Sequence, residues 1–198
     1  MVLPAGNNYL ARAVARIEIP ETGNIDPLPW RVAPDDKTSS YVHIWLPLSD
    51  TPSQQIEIAL EPPGYNPSTF TWSKLGQMTD WVMQGATLAR IYHRKVERGF
   101  GQSREQVVIA IRRTSSDDGD ELLCPAGLWK LHVRNLALAS GEEIDIRIRR
   151  DDSLPGQPPT GRQSYFDHPD YVVYEESNGR IRTDSTLEQS PVTRLGTI

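Results

Sequence analysis

Residues Cys124 to Asp152 alternate apolar and polar side chains through two runs joined by a polar turn. Leu128, Lys130, His132 and Arg134 interleave with Trp129, Leu131, Val133 and Asn135, and Ile144, Ile146 and Ile148 then interleave with Asp145, Arg147 and Arg149. A β-strand turns successive side chains to opposite faces, so this period of two specifies one buried face and one wet face. Pro125-Ala126-Gly127 punctuates the approach and Ser140-Gly141 the turn, so the stretch reads as a half-buried antiparallel hairpin.

The same pattern recurs along the chain. Tyr41–Leu48 and Gln55–Glu61 flank a polar turn, Ser49 to Ser53, and form a second expected hairpin. Gln106–Arg113 places Val107, Ile109 and Ile111 on one face. Ala11–Ile19 spaces Ala13, Ala15, Ile17 and Ile19 by two ahead of Pro20, which favours a strand over a helix. Trp30–Ala33, Thr69–Trp72, Thr79–Met83 and Thr87–His93 are shorter strand candidates. Glu21–Pro29, with Gly23, Pro27 and Pro29, reads as a loop. No stretch carries an amphipathic helical pattern, and 16 prolines and 14 glycines would interrupt helix interiors. Eight to ten short strands at this spacing predict an all-β antiparallel sandwich of jelly-roll type.

A chain of 198 residues is long enough to bury a core without disulfide staples. The reading divides it into a lead-in strand (1–20), the sandwich (21–152) and an extended acidic, aromatic arm (153–198). Leu154-Pro-Gly-Gln-Pro-Pro-Thr-Gly161 suits neither strand nor helix, yet Tyr165, Phe166, Tyr171 and Tyr174 make the arm too aromatic for ordinary disorder. The net charge is −5, and eight acids against four arginines put −4 of it in the stretch from Asp151 onward. An acidic balance argues against nucleic acid as a partner. No apolar run is long enough to span a membrane, and no signal-peptide pattern opens the chain. The compartment stays unassigned, although the lone Cys124 leans toward the cytoplasm and excludes an intramolecular disulfide.

Candidate chemistry is sparse. His43, His93, His132 and His168 lie on separate elements without metal-ligand spacing, so no metal and no cofactor is expected. The acids Asp117, Asp118, Asp120 and Glu121 lack a calcium-loop spacing and read as a solvated loop. Ser164 and His168 are near in sequence, but no nucleophile elbow surrounds the serine. The five tryptophans, Trp30, Trp45, Trp72, Trp81 and Trp129, read either as packing or as a sugar-binding platform. The densest polar cluster is Arg149-Arg150-Asp151-Asp152 with Gly161-Arg162-Gln163-Ser164-Tyr165. In one reading its arginines pair with Asp151 and Asp152 to fix the arm to the last strand. In the other, Arg149, Arg150 and Arg162 donate to a bound anionic group.

Both ends of the chain carry a further signal. Val2-Leu-Pro-Ala-Gly-Asn7 resembles the strand and turn bearing the oxyanion-hole asparagine of subtilisin-like serine proteases, and Arg194-Leu-Gly-Thr-Ile198 resembles the approach to their nucleophile. The block PAGLW…EIDIRIRRDD is similar to jelly-roll domains inserted between those two points in some bacterial members. The resemblance implies that Asn7 is an oxyanion donor, its amide stabilising a tetrahedral intermediate. The chain departs from the family where Ile198 follows Gly196-Thr197 in place of serine. The Asp and His of the triad would precede Asn7 in the family order and do not occur here. What the resemblance implies is an excised segment whose partner is the rest of a larger protease-like chain, inactive alone and serving as a scaffold or specificity module. The alternative reading is a free-standing β-sandwich that binds a carbohydrate or a protein.

Overall fold

The structure, a computed structural model, describes residues 11–20, 23–49, 54–65, 70–99, 101–149, 160–174, 177–180 and 190–193. These hold ten strands and no helix. In chain order they are β1 (Val14–Glu18), β2 (Gly23–Val32), β3 (Ser40–Ser49), β4 (Ile56–Glu61) and β5 (Met78–Met83). There follow β6 (Ala86–Gly99), β7 (Gln102–Ile111), β8 (Gly127–Asn135), β9 (Glu143–Ile148) and β10 (Tyr165–Phe166). Six strands form one sheet in the order β1-β9-β3-β7-β6-β5, and four form the other in the order β10-β2-β8-β4. All pairings are antiparallel.

The two sheets face each other, and the alternation seen in sequence supplies their inner faces. Val42, Ile44 and Leu46 of β3, Val107, Ile109 and Ile111 of β7, and Ile144, Ile146 and Ile148 of β9 are all buried on one side. Leu28, Trp30 and Val32 of β2, Ile56 and Ile58 of β4, and Trp129, Leu131 and Val133 of β8 meet them from the other. Trp30 and Trp129 are direct cross-strand partners with no exposed surface, and Trp81 packs edge-on against Trp129 at 5.4 Å between ring centroids. The order β1-β9-β3-β7 opposite β2-β8-β4, with Ser73 bridging β4 at Ile58, is jelly-roll connectivity. The β5–β6 hairpin widens one sheet beyond it. Gln84 and Gly85 close that hairpin with φ of 49° and 80°, as a two-residue turn of matching twist requires.

Both expected hairpins are overturned. β8 lies in the four-stranded sheet and β9 in the six-stranded one, and β3 and β4 are likewise divided. Period-two alternation tells which side chains leave water but not which strand lies alongside. In this fold nearly every connection crosses from one sheet to the other.

The expected loop Glu21–Pro29 is also overturned, because Gly23–Val32 is a strand. A bulge between Ile25 and Leu28 absorbs Pro27. The Pro29 carbonyl accepts a hydrogen bond from Asp167 N–H at 3.0 Å, so its peptide groups point toward the short arm rather than into β8, where a missing N–H would break the ladder. Thr69–Trp72 contributes no strand among its described residues, 70–72, and β6 runs well past the expected Thr87–His93.

The lead-in and arm share the same core as the strands between them. Ala13, Ile17, Phe166, Tyr171 and Val192 belong to one hydrophobic cluster with the sheet residues. Gly127 is held at φ 134°, and a Cβ there would sit 3.1 Å from Pro63, so the start of β8 requires glycine. We expect Trp129→Ala to cost about 3–5 kcal/mol by transfer loss and cavity formation, measured as a fall in the urea midpoint at unchanged slope.

Candidate functional site

The residues of the polar cluster go to separate partners. Arg149 stacks its guanidinium on Tyr41 at 5.3 Å, and its N–H donates to the Tyr41 carbonyl at 2.9 Å. The Arg162 side chain reaches Asp35 at 3.9 Å, while its backbone N–H donates to Asp36 Oδ1 at 3.2 Å. Tyr165 starts β10 and lies under the Arg12 guanidinium at 4.1 Å. Asn7, Arg150, Asp151 and Asp152 lie outside the described residues.

Two carboxylates that sequence reading passed over hold the described part of the arm. Asp36 is fully buried, and its Oδ1 accepts from Thr38 N–H at 2.9 Å, Thr38 Oγ1–H at 2.7 Å and Arg162 N–H. The Thr114 hydroxyl accepts from Asp36 N–H at 3.0 Å and donates to the Ala33 carbonyl at 2.8 Å, fixing the turn from the other side. Asp167 receives Arg12 at 3.2 Å and Arg31 at 2.5 Å. The Asp36-Lys37-Thr38 spacing is an Asx-turn signal, and it was the one readable hint of this clamp.

The chain also meets itself beside β1. Arg16 N–H donates to the Pro191 carbonyl and Thr193 N–H to the Val14 carbonyl, each at 2.8 Å, so Ala15 and Val192 form an antiparallel bridge. Both side chains are buried. Next to this crossing lies a hollow of about 530 Å³ whose lining includes Arg16, Glu18, Asp26, Glu143, His168 and Asp170.

The described side chains do not form a catalytic constellation. His93 Nε2 and Glu105 Oε2 are 2.8 Å apart, but both side chains are buried between the sheets, and Glu105 Oε1 accepts from Gln55 N–H at 2.7 Å. This pair ties β6 and β7 to the start of β4. Burial pushes the Cys124 thiol up to about 12, which leaves it without nucleophilic thiolate at neutral pH. Glu121 binds Arg112 and Arg113, and Asp117 binds Lys37 at 2.7 Å, so two of the loop acids are occupied by cations of the protein itself.

On the outer face of the four-stranded sheet, Glu61 accepts from Lys130 and faces His132 Nε2, both at 2.8 Å. Burial raises the Glu61 carboxyl, but the hydrogen bonds from Lys130 and His132 outweigh it and hold the group below its ordinary value.

The tryptophans do not converge. Trp30 and Trp129 are core, Trp72 lies under Arg134 at 4.1 Å, and Trp45 lies under Arg104 at 5.3 Å. Trp81 helps line a cavity of about 90 Å³ with Leu60, Tyr65, Phe70 and Ile91. Small-molecule sites typically enclose about 300–1,000 Å³, so this cavity is undersized for a sugar ring with its contacts.

Against known proteins, no family model matches the chain, and no curated protein matches it. Among solved structures it is similar to the Clostridium perfringens CspB protease, at 14% sequence identity and a TM-score of 0.49, over 80% of this chain and 28% of that one. The chain therefore spans less than a third of that protein's length.

Two outcomes are expected. Asp36→Ala leaves buried donors without an acceptor and should lower stability by about 2–3 kcal/mol, with the Arg162 amide exchanging faster by hydrogen-exchange mass spectrometry. Glu61→Gln should reduce stability at neutral pH. A depressed carboxyl stabilises the fold above its unfolded value and loses that contribution as pH falls through its folded one. The difference between wild type and variant in urea unfolding should therefore close as pH falls below 4.5, the ordinary value.

Proposed function

We propose that this chain is a non-catalytic β-sandwich inserted in a subtilisin-like serine protease, where it acts as a scaffold or specificity module. One observation carries the reading. The incoming segment at Val14–Arg16 and the outgoing segment at Pro191–Thr193 run antiparallel and hydrogen-bonded at the β1 edge. A domain whose incoming and outgoing chains leave side by side can occupy a host loop without pulling the loop ends apart. The runs that resemble protease segments, Val2–Asn7 and Arg194–Ile198, flank these two segments in sequence. Burial of Cys124 and of the His93–Glu105 pair supports a module without its own nucleophile or base.

Two measurements bear on this. The full chain should give no hydrolysis of a succinyl-Ala-Ala-Pro-Phe anilide above a buffer blank and no labelling by a fluorophosphonate probe. Turnover that survives repurification would sink the reading. Spliced into a surface loop of a carrier enzyme, the full chain should fold while the carrier keeps its activity. A folded sandwich in an inactive carrier would show that the two crossings do not lie close enough for an insert.

A further inference from the structure

The outer face of the six-stranded sheet is the most unusual surface of the described residues. The register of β9, β3, β7 and β6 lays its side chains in rows. Tyr41, beside Arg149, is level with Ala110 and Arg90; Arg147, His43, Val108 and Tyr92 form the next row; Asp145, Trp45, Gln106 and Arg94 form the third.

Three guanidiniums lie on aromatic rings here: Arg149 on Tyr41 at 5.3 Å, Arg104 on Trp45 at 5.3 Å and Arg90 on Tyr92 at 5.9 Å. Two carboxylates near these rows are taken by arginines, and Glu143 with its cross-strand partner Glu18 lies beyond them at the β1 end of the face. Asp145 holds Arg147 at 2.6 Å, and Asp80 holds Arg90 at 2.6 Å. Arg149 and Arg94 differ. Arg94 donates to the neutral Gln106 amide oxygen at 2.8 Å, and neither arginine meets a carboxylate among the described residues. Both are exposed, with half-buried His43 between them. A protein of net charge −5 thus presents a cationic, aromatic face.

We propose that this face docks an acidic, extended peptide segment of a partner protein, with Arg149 and Arg94 taking carboxylates near its two ends and His43 lying beneath its middle. Dimensions favour a peptide over a small anion. From Arg149 to Arg94 the path crosses three strand spacings of roughly 4.8 Å and four residues of about 3.3 Å, so the Cα atoms stand about 20 Å apart. A single phosphate or carboxylate would meet one guanidinium on a flat surface, whereas about six residues of extended chain span both. The exposed edges of Tyr92 and Met78 add apolar contact beside the cations.

His43 is a built-in reporter. Burial lowers its affinity for a proton, and Arg149 and Arg94 lower it further. The other groups around it are Arg147 opposite on β9, neutralised by Asp145, with Tyr41 and Trp45 on its own strand and Tyr92 on β6.

The test uses the full chain and a fluorescein-labelled hexapeptide of alternating glutamate and tyrosine, with its glutamine counterpart as control. In low salt the acidic peptide should bind, the glutamine peptide should not, and each of Arg94→Gln and Arg149→Gln should weaken binding about tenfold, as loss of one charge-assisted contact predicts. By NMR, either substitution should raise the His43 pKa in the free protein, and bound peptide should raise it in the wild type. Unchanged circular dichroism of both variants would show that the fold persists. Equal peptide affinity in wild type and the double variant would overturn the proposal, as would a His43 resonance unmoved at saturation. Tighter binding of an oligothymidylate of equal charge would also overturn it, in favour of a nucleic acid.

Discussion

Each strand of this protein has one face that must leave water, and most consecutive strands leave it from opposite sheets. That constraint places Ile144, Ile146 and Ile148 against Trp129, Leu131 and Val133 across the sandwich rather than along one hairpin. It also makes the core indivisible. Ala13 and Ile17 come from the lead-in, Phe166 and Tyr171 from the arm, and Val192 from near the end of the chain, yet all sit in one cluster. Apolar burial supplies the drive and is indifferent to order along the chain.

Because burial is indifferent to order, something directional has to fix the arm and the sheet-to-sheet register. Buried polar groups do this. Asp36 gathers the β2–β3 turn and the start of the arm on one carboxylate, and Glu105 joins β6, β7 and β4 through His93 and Gln55. A buried carboxylate is costly unless its oxygens are satisfied, so an arrangement that satisfies them is strongly preferred over slipped alternatives. The same burial removes these groups from chemistry. His93 and Glu105 would make a dyad at an open site, but between two sheets they make a tie.

What remains for function is the outside. The incoming and outgoing segments cross at β1, in the six-stranded sheet, and the cationic aromatic rows begin on the adjacent strand, β9. A module held to a host along β1 would leave those rows turned outward, where a partner segment can reach them. The insert reading and the docking face are nonetheless independent, since one concerns the path of the backbone and the other the charge of side chains.

The sequence alone determined that this is a β-protein with one buried face per strand, because period-two alternation depends only on neighbouring residues. It marked the inner residues of β7, β8 and β9 correctly, and it singled out Arg149, now stacked on Tyr41. Glu21–Pro29 misled because two prolines usually end a strand, whereas a bulge absorbs Pro27 and Pro29 turns its missing N–H away from β8. Only the tertiary structure decided which strands pair, since alternation names a face and not a neighbour. Only it could bring Arg94 and Arg149 to one surface from residues 55 apart in sequence, because that proximity is set by the order of four strands in a sheet.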